Sequence, residues 1–248
     1  MKKTLAGERI LSIDVGGSHV KSVILNQEGA MQMDYKKIAT PPNPTPQQLI
    51  DTIKTLIKDF PAYDNISVGF PGYVKKGVVY TAPNLGTDAW KGFDLAGALT
   101  KELGKPAMVV NDADMQGLGV VDGKGFEIVV TLGTGFGTAL LNDGVLLPHL
   151  ELAHLPITKS KTYDVYIGEK ALEKEGVAKW NERVKQVFSI YKTVFNYDKL
   201  YIGGGNASKI KFPLDSNMVI VSNRDGIKGG ARLWQVDERH ELITSKPE

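Results

Sequence analysis

The sequence predicts an α/β protein that folds as two domains with mixed sheets. Two stretches have the pattern of a β-hairpin, in which two apolar runs flank a glycine-rich turn; they cover residues 10–25 and 127–141. Between and after these hairpins, short apolar runs alternate with segments of helical period. Alternation of strands and helices is typical of the α/β class, in which ligands bind at the carboxyl ends of the strands.

The first half of the chain continues from its hairpin with alternating helices and strands. Thr45 followed by Pro46 has the form of a helix start, and the apolar residues after it recur with helical spacing up to Ile57. The later predicted elements are, in order, a strand at 66–70, a helix at 93–103 closed by Gly104, and a strand at 107–110.

The second half repeats this alternation after its own hairpin. The predicted elements are a helical segment at 167–191, a strand at 199–202 that stops at three glycines, a strand at 219–221, and a helix that starts near Gly226. We expect a domain boundary near residue 110. A small domain would cover residues 1–110, and a larger one would cover 111–248, with its last helix packed on the first domain.

The composition excludes several classes of protein. Of the 248 residues, 42% are hydrophobic and 23% are charged, which is typical of a globular chain. Because cysteine is absent, disulfides, thiolate zinc sites and cysteine nucleophiles are excluded, and a cytoplasmic location is expected. The net charge of +2 comes from dispersed basic residues, so we expect a small anionic ligand and no nucleic acid. The first apolar run is short and contains Asp14, so we expect no signal peptide and no membrane partner.

The first glycine-rich turn is a candidate phosphate site. A carboxylate, Asp14, precedes Gly16, Gly17 and Ser18, and Lys21 follows them. Backbone N–H groups that no side chain shields can hold a phosphate, and a carboxylate beside them can hold its metal ion. Paired glycines are also common in hairpin turns that bind nothing, so both interpretations stay open.

The second glycine-rich turn offers more donors. Thr131, Gly133, Thr134 and Gly135 combine hydroxyl and N–H groups in a Gly-x-Gly-x-Gly pattern. The pattern is neither a dinucleotide-binding fingerprint nor a Walker loop, because a strand follows it and no Gly-Lys-Ser/Thr occurs. We favour a phosphate site over a purely structural hairpin because two such turns occur in one chain, which suits a donor with several phosphates.

Asp112 is the candidate general base. Asn111, Asp112 and Asp114 stand at the carboxyl end of the strand predicted at 107–110. Transfer of a phosphoryl group to a hydroxyl needs a base near the acceptor oxygen. Alternatively, Asp112 or Asp114 caps the following helix, and we expect one aspartate to serve chemistry and the other to serve partly as the cap.

Other polar residues are candidate ligands for a sugar. Glu151 and His154 are three residues apart and can share the hydroxyl groups of one sugar. Taken alone, His154 and Asn84 are more often turn residues than ligands. The glycine run at 203–205 is equally compatible with a nucleotide pocket and with a turn from sheet to helix.

Together these motifs resemble the ROK family of sugar kinases, and within it the polyphosphate glucokinases. The four motifs that carry the resemblance occur in the family's order and lie at residues 14–21, 111–114, 132–137 and 151–154. The resemblance implies an actin/hexokinase-like (ribonuclease H-like) fold with two domains. It also implies transfer of a phosphoryl group to the 6-hydroxyl of glucose. The residues that it assigns are Asp112 as the general base and a sugar ligand, and Asn84, Asn111, Glu151 and His154 as further sugar ligands.

The resemblance also implies the other ligands and partners. Mg²⁺ would accompany the donor, with Asp14 as a metal ligand, and the protein would be a homodimer. Residues 71–74 and 179–184 are similar to the branch that uses inorganic polyphosphate, and ATP is a second donor to consider. A basic groove for polyphosphate would include Lys21, Lys228 and Arg232.

The chain departs from the family's pattern at a few positions. Ala153 stands where a glycine is usual, and the cysteine-rich zinc loop of many members is absent, so zinc is not implied. A third glutamate that contacts the sugar in many relatives is replaced in the Tyr163-Asp164 segment.

Three rival functions remain at this point. An ATP-dependent ROK hexokinase for glucose or mannose would use the same motifs. A non-catalytic ROK sugar-binding protein, such as a repressor, would need a helix-turn-helix ahead of Asp14, where we expect no room for one. An acetate-kinase-like or activator ATPase would lack Glu151 and His154.

Overall fold

The computed structural model describes residues 7–235. The chain forms two compact units: the first runs to Gly119 and resumes at Arg224, and the second is Val120–Asn223. The first unit extends beyond residue 110 because the helix that begins at Asp112 packs closely on a strand of that unit. A Cβ placed on Gly69 of that strand would lie 3.3 Å from the Asp112 Cα.

The first unit contains one five-stranded sheet and one small sheet. Its strands are β1 Ile10–Val15, β2 His19–Leu25, β3 Lys36–Ala39, β4 Asn65–Phe70, β5 Val74–Lys75, β6 Val78–Val79, β7 Phe93–Asp94 and β8 Ala107–Asn111. The large sheet has the order β3-β2-β1-β4-β8, in which β1, β4 and β8 are parallel and β2 is antiparallel to both neighbours. The small sheet, β5-β6-β7, is antiparallel.

The helices that accompany these strands are α1 Pro46–Ile57, α2 Thr87–Trp90, α3 Leu95–Leu103 and α4 Asp112–Val120. The predicted start of α1 is confirmed, since Thr45 Oγ1 accepts from Gln48 N at 3.3 Å and Gln48 Oε1 accepts from Thr45 N at 2.9 Å. The helix predicted at 93–103 begins two residues later. Phe93 and Asp94 pair with β6, and the Asp94 side chain caps α3.

The second unit is built on a second five-stranded sheet. Its strands are β9 Phe126–Leu132, β10 Phe136–Asn142, β11 Val145–Leu146, β12 Lys199–Gly203 and β13 Met218–Ile220. The order is β11-β10-β9-β12-β13, with β9 antiparallel to β10 and parallel to β12. Both predicted hairpins and the mixed sheets of an α/β fold are therefore confirmed.

Two helices pack on this sheet, α5 Tyr163–Ile167 and α6 Glu169–Phe195. Gly176 interrupts α6 with a φ of 77°, which produces a kink. Trp180, which is fully buried, follows the kink and donates from Nε1 to Ile167 O at 2.7 Å. This bond ties α6 to α5 and fixes how the two helices cover the sheet.

The chain returns to the first sheet through α7 Asn223–Gly226 and α8 Gly229–Arg232. Buried serines on β1 and β4 form hydrogen bonds with this segment. Ser12 Oγ donates to Ile227 O at 2.8 Å, and Ser67 Oγ donates to Gly230 O at 2.6 Å. A side chain on Gly230 would collide with Ser12, so only glycine allows this approach.

Among residues 7–235, no helix has the length and the apolar composition that crossing a bilayer requires.

Candidate active site

The first glycine turn, residues 16–18, joins β1 to β2. Asp14 and Lys21 are directly opposed on the two strands, and Lys21 Nζ lies 3.1 Å from Asp14 Oδ2. Both side chains are partly exposed, so this ion pair stabilises the fold by at most about 1 kcal/mol. Either group can therefore turn to a ligand at little cost.

Thr40, a residue with no signature in the sequence, braces this turn. Its N–H donates to Ser18 O at 3.0 Å, and its Oγ1 donates to Gly16 O at 2.7 Å. Gly17 and Ser18 are exposed. A Cβ placed on Gly17 would lie 3.6 Å from the Cβ of Asn84, so Asn84 lies beside the turn.

Asp112 begins α4 at the carboxyl end of β8. Asn111, just before it, accepts at Oδ1 from Ala113 N at 2.8 Å and from Asp114 N at 3.4 Å, and it donates from Nδ2 to Gly72 O at 3.0 Å. Ala113 N also donates to Asp112 Oδ1 at 2.9 Å. The cap predicted for Asp112 or Asp114 is therefore supplied mainly by Asn111, because Asn111 occupies the position that precedes the first helical residue.

The parallel strands β1, β4 and β8 bring these residues to one edge of the sheet. Asp14 is opposite Gly69 on β4, and Asn111 is opposite Phe70 on the same strand. Two strand spacings, about 10 Å between backbones, separate Asp14 from Asp112. One small ligand can thus extend from the first glycine turn to the Asp112 carboxylate.

The second glycine turn, residues 133–135, joins β9 to β10. Thr131 lies near the end of β9, and Gly133 N donates to Gly135 O at 3.1 Å across the turn. Thr134 is exposed, and a Cβ placed on Gly133 would meet no atom within 4 Å. The turn therefore has free space beside Gly133 and an exposed threonine, which leaves room for an anion.

Asp164 holds this turn from α5. Its Oδ1 accepts from Phe136 N at 2.8 Å, and a Cβ placed on Gly135 would collide with the same oxygen. The acidic residue of the Tyr163-Asp164 segment therefore shapes the second glycine turn.

We expect Asp164→Ala to lower the free energy of unfolding by about 1–3 kcal/mol, because the Phe136 N–H would lose its acceptor. Asp164→Asn is the matched control: it keeps an oxygen acceptor and should cost less than half as much. Urea unfolding followed by tryptophan fluorescence measures both. If Asp164→Ala were as stable as the parent, the hydrogen bond would contribute nothing to the turn.

The glycine run at 203–205 supports the second glycine turn from β12. Asn206 N donates to Leu132 O at 2.9 Å, and Asn206 Nδ2 donates to Gly133 O at 3.4 Å. Gly204 has a φ of 90°, and a Cβ there would collide with the Leu132 backbone. Of the two interpretations of this run, the structural turn is present in the fold.

Glu151, a predicted sugar ligand, lies between two histidines. Its Oε1 is 3.5 Å from His149 Nε2, and its Oε2 is 4.0 Å from His154 Nε2. The His154 side chain is 71% exposed, whereas that of His149 is only 7% exposed. Hydrogen bonding to His149 is the main cause of the lowered pKa of Glu151, against the opposing effect of burial. Glu151 is therefore ionised at neutral pH and can accept hydrogen bonds from sugar hydroxyl groups.

The lysines expected to line a basic groove have acidic partners. Lys21 pairs with Asp14, and Lys228 Nζ lies 2.7 Å from Asp225 Oδ1. Arg183, from the segment similar to the polyphosphate branch, is nearly buried and pairs with Glu175 at 2.8 Å. An anion that binds Lys21 or Lys228 would have to compete with the acidic partner of that lysine.

Asp14 is the candidate carboxylate for a donor's metal ion. Within residues 7–235, no three histidine, aspartate or glutamate side chains group closely enough to hold a metal by themselves. Magnesium that arrives with a phosphate donor is usually held by one or two carboxylates together with phosphate oxygens and water. Asp14, partly exposed beside the first glycine turn, fits that limited requirement.

The model of the ROK family matches residues 10–150, which is more than half of the chain. This chain belongs to the ROK family. Its sequence is 31% identical to a polyphosphate glucokinase of Mycobacterium tuberculosis (strain CDC 1551 / Oshkosh), over 92% of this chain and 92% of that protein. A polyphosphate glucokinase of Mycobacterium leprae (strain TN) is 29% identical over 96% of this chain and 78% of its own length.

Solved structures of sugar kinases share the fold. The inorganic polyphosphate/ATP-glucomannokinase from Arthrobacter sp. strain KM superposes with a TM-score of 0.82 at 29% identity, covering 91% of this chain and 98% of that one. A ROK family glucokinase from Streptomyces griseus, solved with glucose and AMPPNP, superposes with a TM-score of 0.76 at 18% identity, with the same coverage. The actin/hexokinase-like fold implied by the sequence motifs is therefore confirmed.

Proposed function

We propose that this ROK protein is a polyphosphate glucokinase. It transfers the terminal phosphoryl group of inorganic polyphosphate to the 6-hydroxyl of glucose, with Asp112 as the general base. The observation that carries the proposal is the sheet edge of the first unit, where Asp112 and the first glycine turn follow strands on either side of β4. The names of the mycobacterial relatives support the choice of sugar and donor.

Asp112 acts on the acceptor hydroxyl. As the 6-oxygen of glucose attacks the terminal phosphorus, its proton moves to the Asp112 carboxylate. The bond from phosphorus to the bridging oxygen breaks, and the shortened polyphosphate leaves with that oxygen and its electron pair. The Ala113 N–H, 2.9 Å from Asp112 Oδ1, holds the carboxylate in one orientation for this step.

Besides Asp112, which contacts the 6-hydroxyl as the base, four residues would hold the sugar. Glu151 accepts hydrogen bonds from its hydroxyl groups, and the exposed His154 donates or accepts beside it. Asn84 lies next to the first glycine turn. Asn111 gives one amide hydrogen to Gly72 O, and the second hydrogen of Nδ2 can serve a sugar hydroxyl.

The two glycine turns would hold the donor through backbone N–H groups and threonine and serine hydroxyls. The residues assigned to the donor are Asp14, Gly16, Gly17, Ser18 and Lys21 in the first unit and Thr131, Gly133, Thr134 and Gly135 in the second. Asp14 would hold the Mg²⁺ that accompanies the donor, and the ion would supply positive charge to the phosphate oxygens.

ATP-dependent phosphorylation of glucose or mannose is the second candidate function. The observation that favours it is the similarity to the Arthrobacter enzyme, whose name includes both donors and both sugars. A non-catalytic ROK sugar-binding protein is the third candidate and would bind glucose without turnover.

The test is formation of glucose 6-phosphate with Mg²⁺ and either long-chain polyphosphate or ATP as the sole donor. We expect product from polyphosphate. Product from ATP alone would replace the first candidate with the second. Glucose binding without product from either donor would favour the third.

Gly133→Ala tests the second glycine turn. The added methyl group meets open space, so the variant should be as stable as the parent within about 0.5 kcal/mol. If the turn holds the donor, the methyl group should raise the KM for polyphosphate several-fold and leave the KM for glucose unchanged. Steady-state kinetics with each substrate varied measures both constants. An unchanged KM for polyphosphate would remove this turn from the donor site.

The proposal includes a homodimer in the cytoplasm with no nucleic-acid or membrane partner. The dispersed basic residues argue against a nucleic-acid partner, and the absence of cysteine fits a reducing cytoplasm. The homodimer rests on the family resemblance alone. Sedimentation equilibrium gives the oligomeric state directly.

A further inference from the structure

His149 has no role in the proposed reaction, although it is nearly buried beside a proposed sugar ligand. Its side chain is 7% exposed, and its Nε2 lies 3.5 Å from Glu151 Oε1. A buried imidazole costs free energy unless its polar atoms find a partner. The carboxylate of Glu151 is the partner that the structure places next to it.

The backbone around His149 is anchored to β10 on both sides. Leu147 N donates to Leu140 O at 2.8 Å, and Thr138 Oγ1 donates to Leu150 O at 3.2 Å. These bonds position the main chain that carries His149 and Glu151. Of the two histidines next to the carboxylate, only the one at 149 is buried, so its side chain has less freedom to move than that of His154.

The lowered pKa of Glu151 agrees with this contact, because its largest cause is hydrogen bonding to His149. His154 contributes through its charge alone and sits 4.0 Å from the other oxygen. His149 therefore lies next to Oε1 of Glu151, and Oε2 faces the exposed His154.

We propose that His149 is a positioning residue that orients the Glu151 carboxylate for the sugar. This inference rests on the proposed function, in which Glu151 binds glucose. His149 donates from Nε2 to Oε1 and so fixes the side-chain torsions of Glu151 before the sugar arrives. Binding then costs less conformational entropy, and the gain appears in the affinity for glucose.

The kinetic test compares His149→Leu with His149→Gln. Leucine keeps the buried volume but removes the donor, so we expect the KM for glucose to rise about tenfold. Glutamine returns an N–H donor at a similar distance from the backbone and should restore most of the affinity. The KM for polyphosphate should stay at the parent value in both variants, which a general loss of folding would not allow.

A second measurement tests the contact between His149 and Glu151 without catalysis. The four histidines are titrated by proton NMR in the parent protein and in Glu151→Gln, and the His149 signal is assigned by its loss in His149→Gln. An ionised neighbour raises the pKa of an imidazole, so we expect Glu151→Gln to lower the pKa of His149 by about one unit.

The outcomes separate this inference from the proposed function. If the parent phosphorylates glucose but His149→Leu has the parent's KM for glucose, the positioning role is wrong and the proposed function stands. A His149 pKa that does not respond to Glu151→Gln would also overturn the role. If the parent phosphorylates no glucose, the proposed function fails, and the positioning role for a sugar fails with it whatever the titration shows.

Discussion

Asp112→Asn is expected to reduce turnover of glucose by a factor of about 10² to 10⁴, the usual contribution of a general base. Asparagine keeps the shape of aspartate and its Oδ1 acceptor for the Ala113 N–H, so α4 should start as it does in the parent. The amide cannot take the proton of the 6-hydroxyl. Glucose affinity, measured by isothermal titration calorimetry, should change little.

Asp59→Asn is a matched control for this experiment. Asp59 is an exposed residue in the turn that follows α1, so its loss should leave turnover and stability at the parent values. Turnover by Asp112→Asn within a factor of two of the control would contradict the assignment of Asp112. Loss of glucose binding together with turnover would indicate a misfolded site instead.

Gly204→Ala is expected to have the largest effect on stability. The residue has a φ of 90°, and the added Cβ would collide with the Leu132 backbone next to the second glycine turn. The left-handed conformation and the collision together should cost roughly 2–5 kcal/mol. Because Leu132 leads directly into the second glycine turn, activity should fall even where the variant remains folded.

Gly205→Ala, at the next residue, is the matched control for Gly204→Ala. A Cβ there meets no atom within 4 Å, and the backbone is not in the left-handed region. This variant should therefore stay within about 0.5 kcal/mol of the parent in urea unfolding. Similar stabilities for the two variants would show that β12 can move away from Leu132, and the turn would then be less rigid than the structure indicates.

The sequence predicts those structural elements that depend on residues close together in the chain. The helix start at Thr45 and the two glycine-rich hairpins depend on residues close together in the chain, so pattern alone identifies them. The strands β4 and β8 were recognised because each is a short apolar run bounded by proline, glycine or a polar residue.

Features that depend on distant partners were missed. The strand β3 and the small sheet β5-β6-β7 consist of two to four residues each, and only pairing with other strands makes them regular. Asn111, expected to hold a sugar, was not recognised as a helix cap because Asp112 and Asp114 are equally good capping residues.

The candidate site shows the same division. The sequence predicts Asp14, Asp112 and the glycine turns as site residues because they follow strands, and the first unit brings Asp14, Asn84 and Asp112 to one sheet edge. Thr40 braces the first glycine turn through two hydrogen bonds and His149 lies against Glu151, and no spacing in the sequence reveals either residue. Their signal is burial of a polar side chain, which only the fold provides.

The central claim is that this chain transfers a phosphoryl group to the 6-hydroxyl of glucose. Phosphorus-31 NMR of a mixture of protein, glucose, Mg²⁺ and polyphosphate identifies the product directly, because a phosphorus coupled to the protons on carbon 6 marks the site of transfer. We predict glucose 6-phosphate, with matching loss of terminal phosphate from the polyphosphate. Release of inorganic phosphate without a sugar phosphate, or a phosphate on another hydroxyl, would contradict the account.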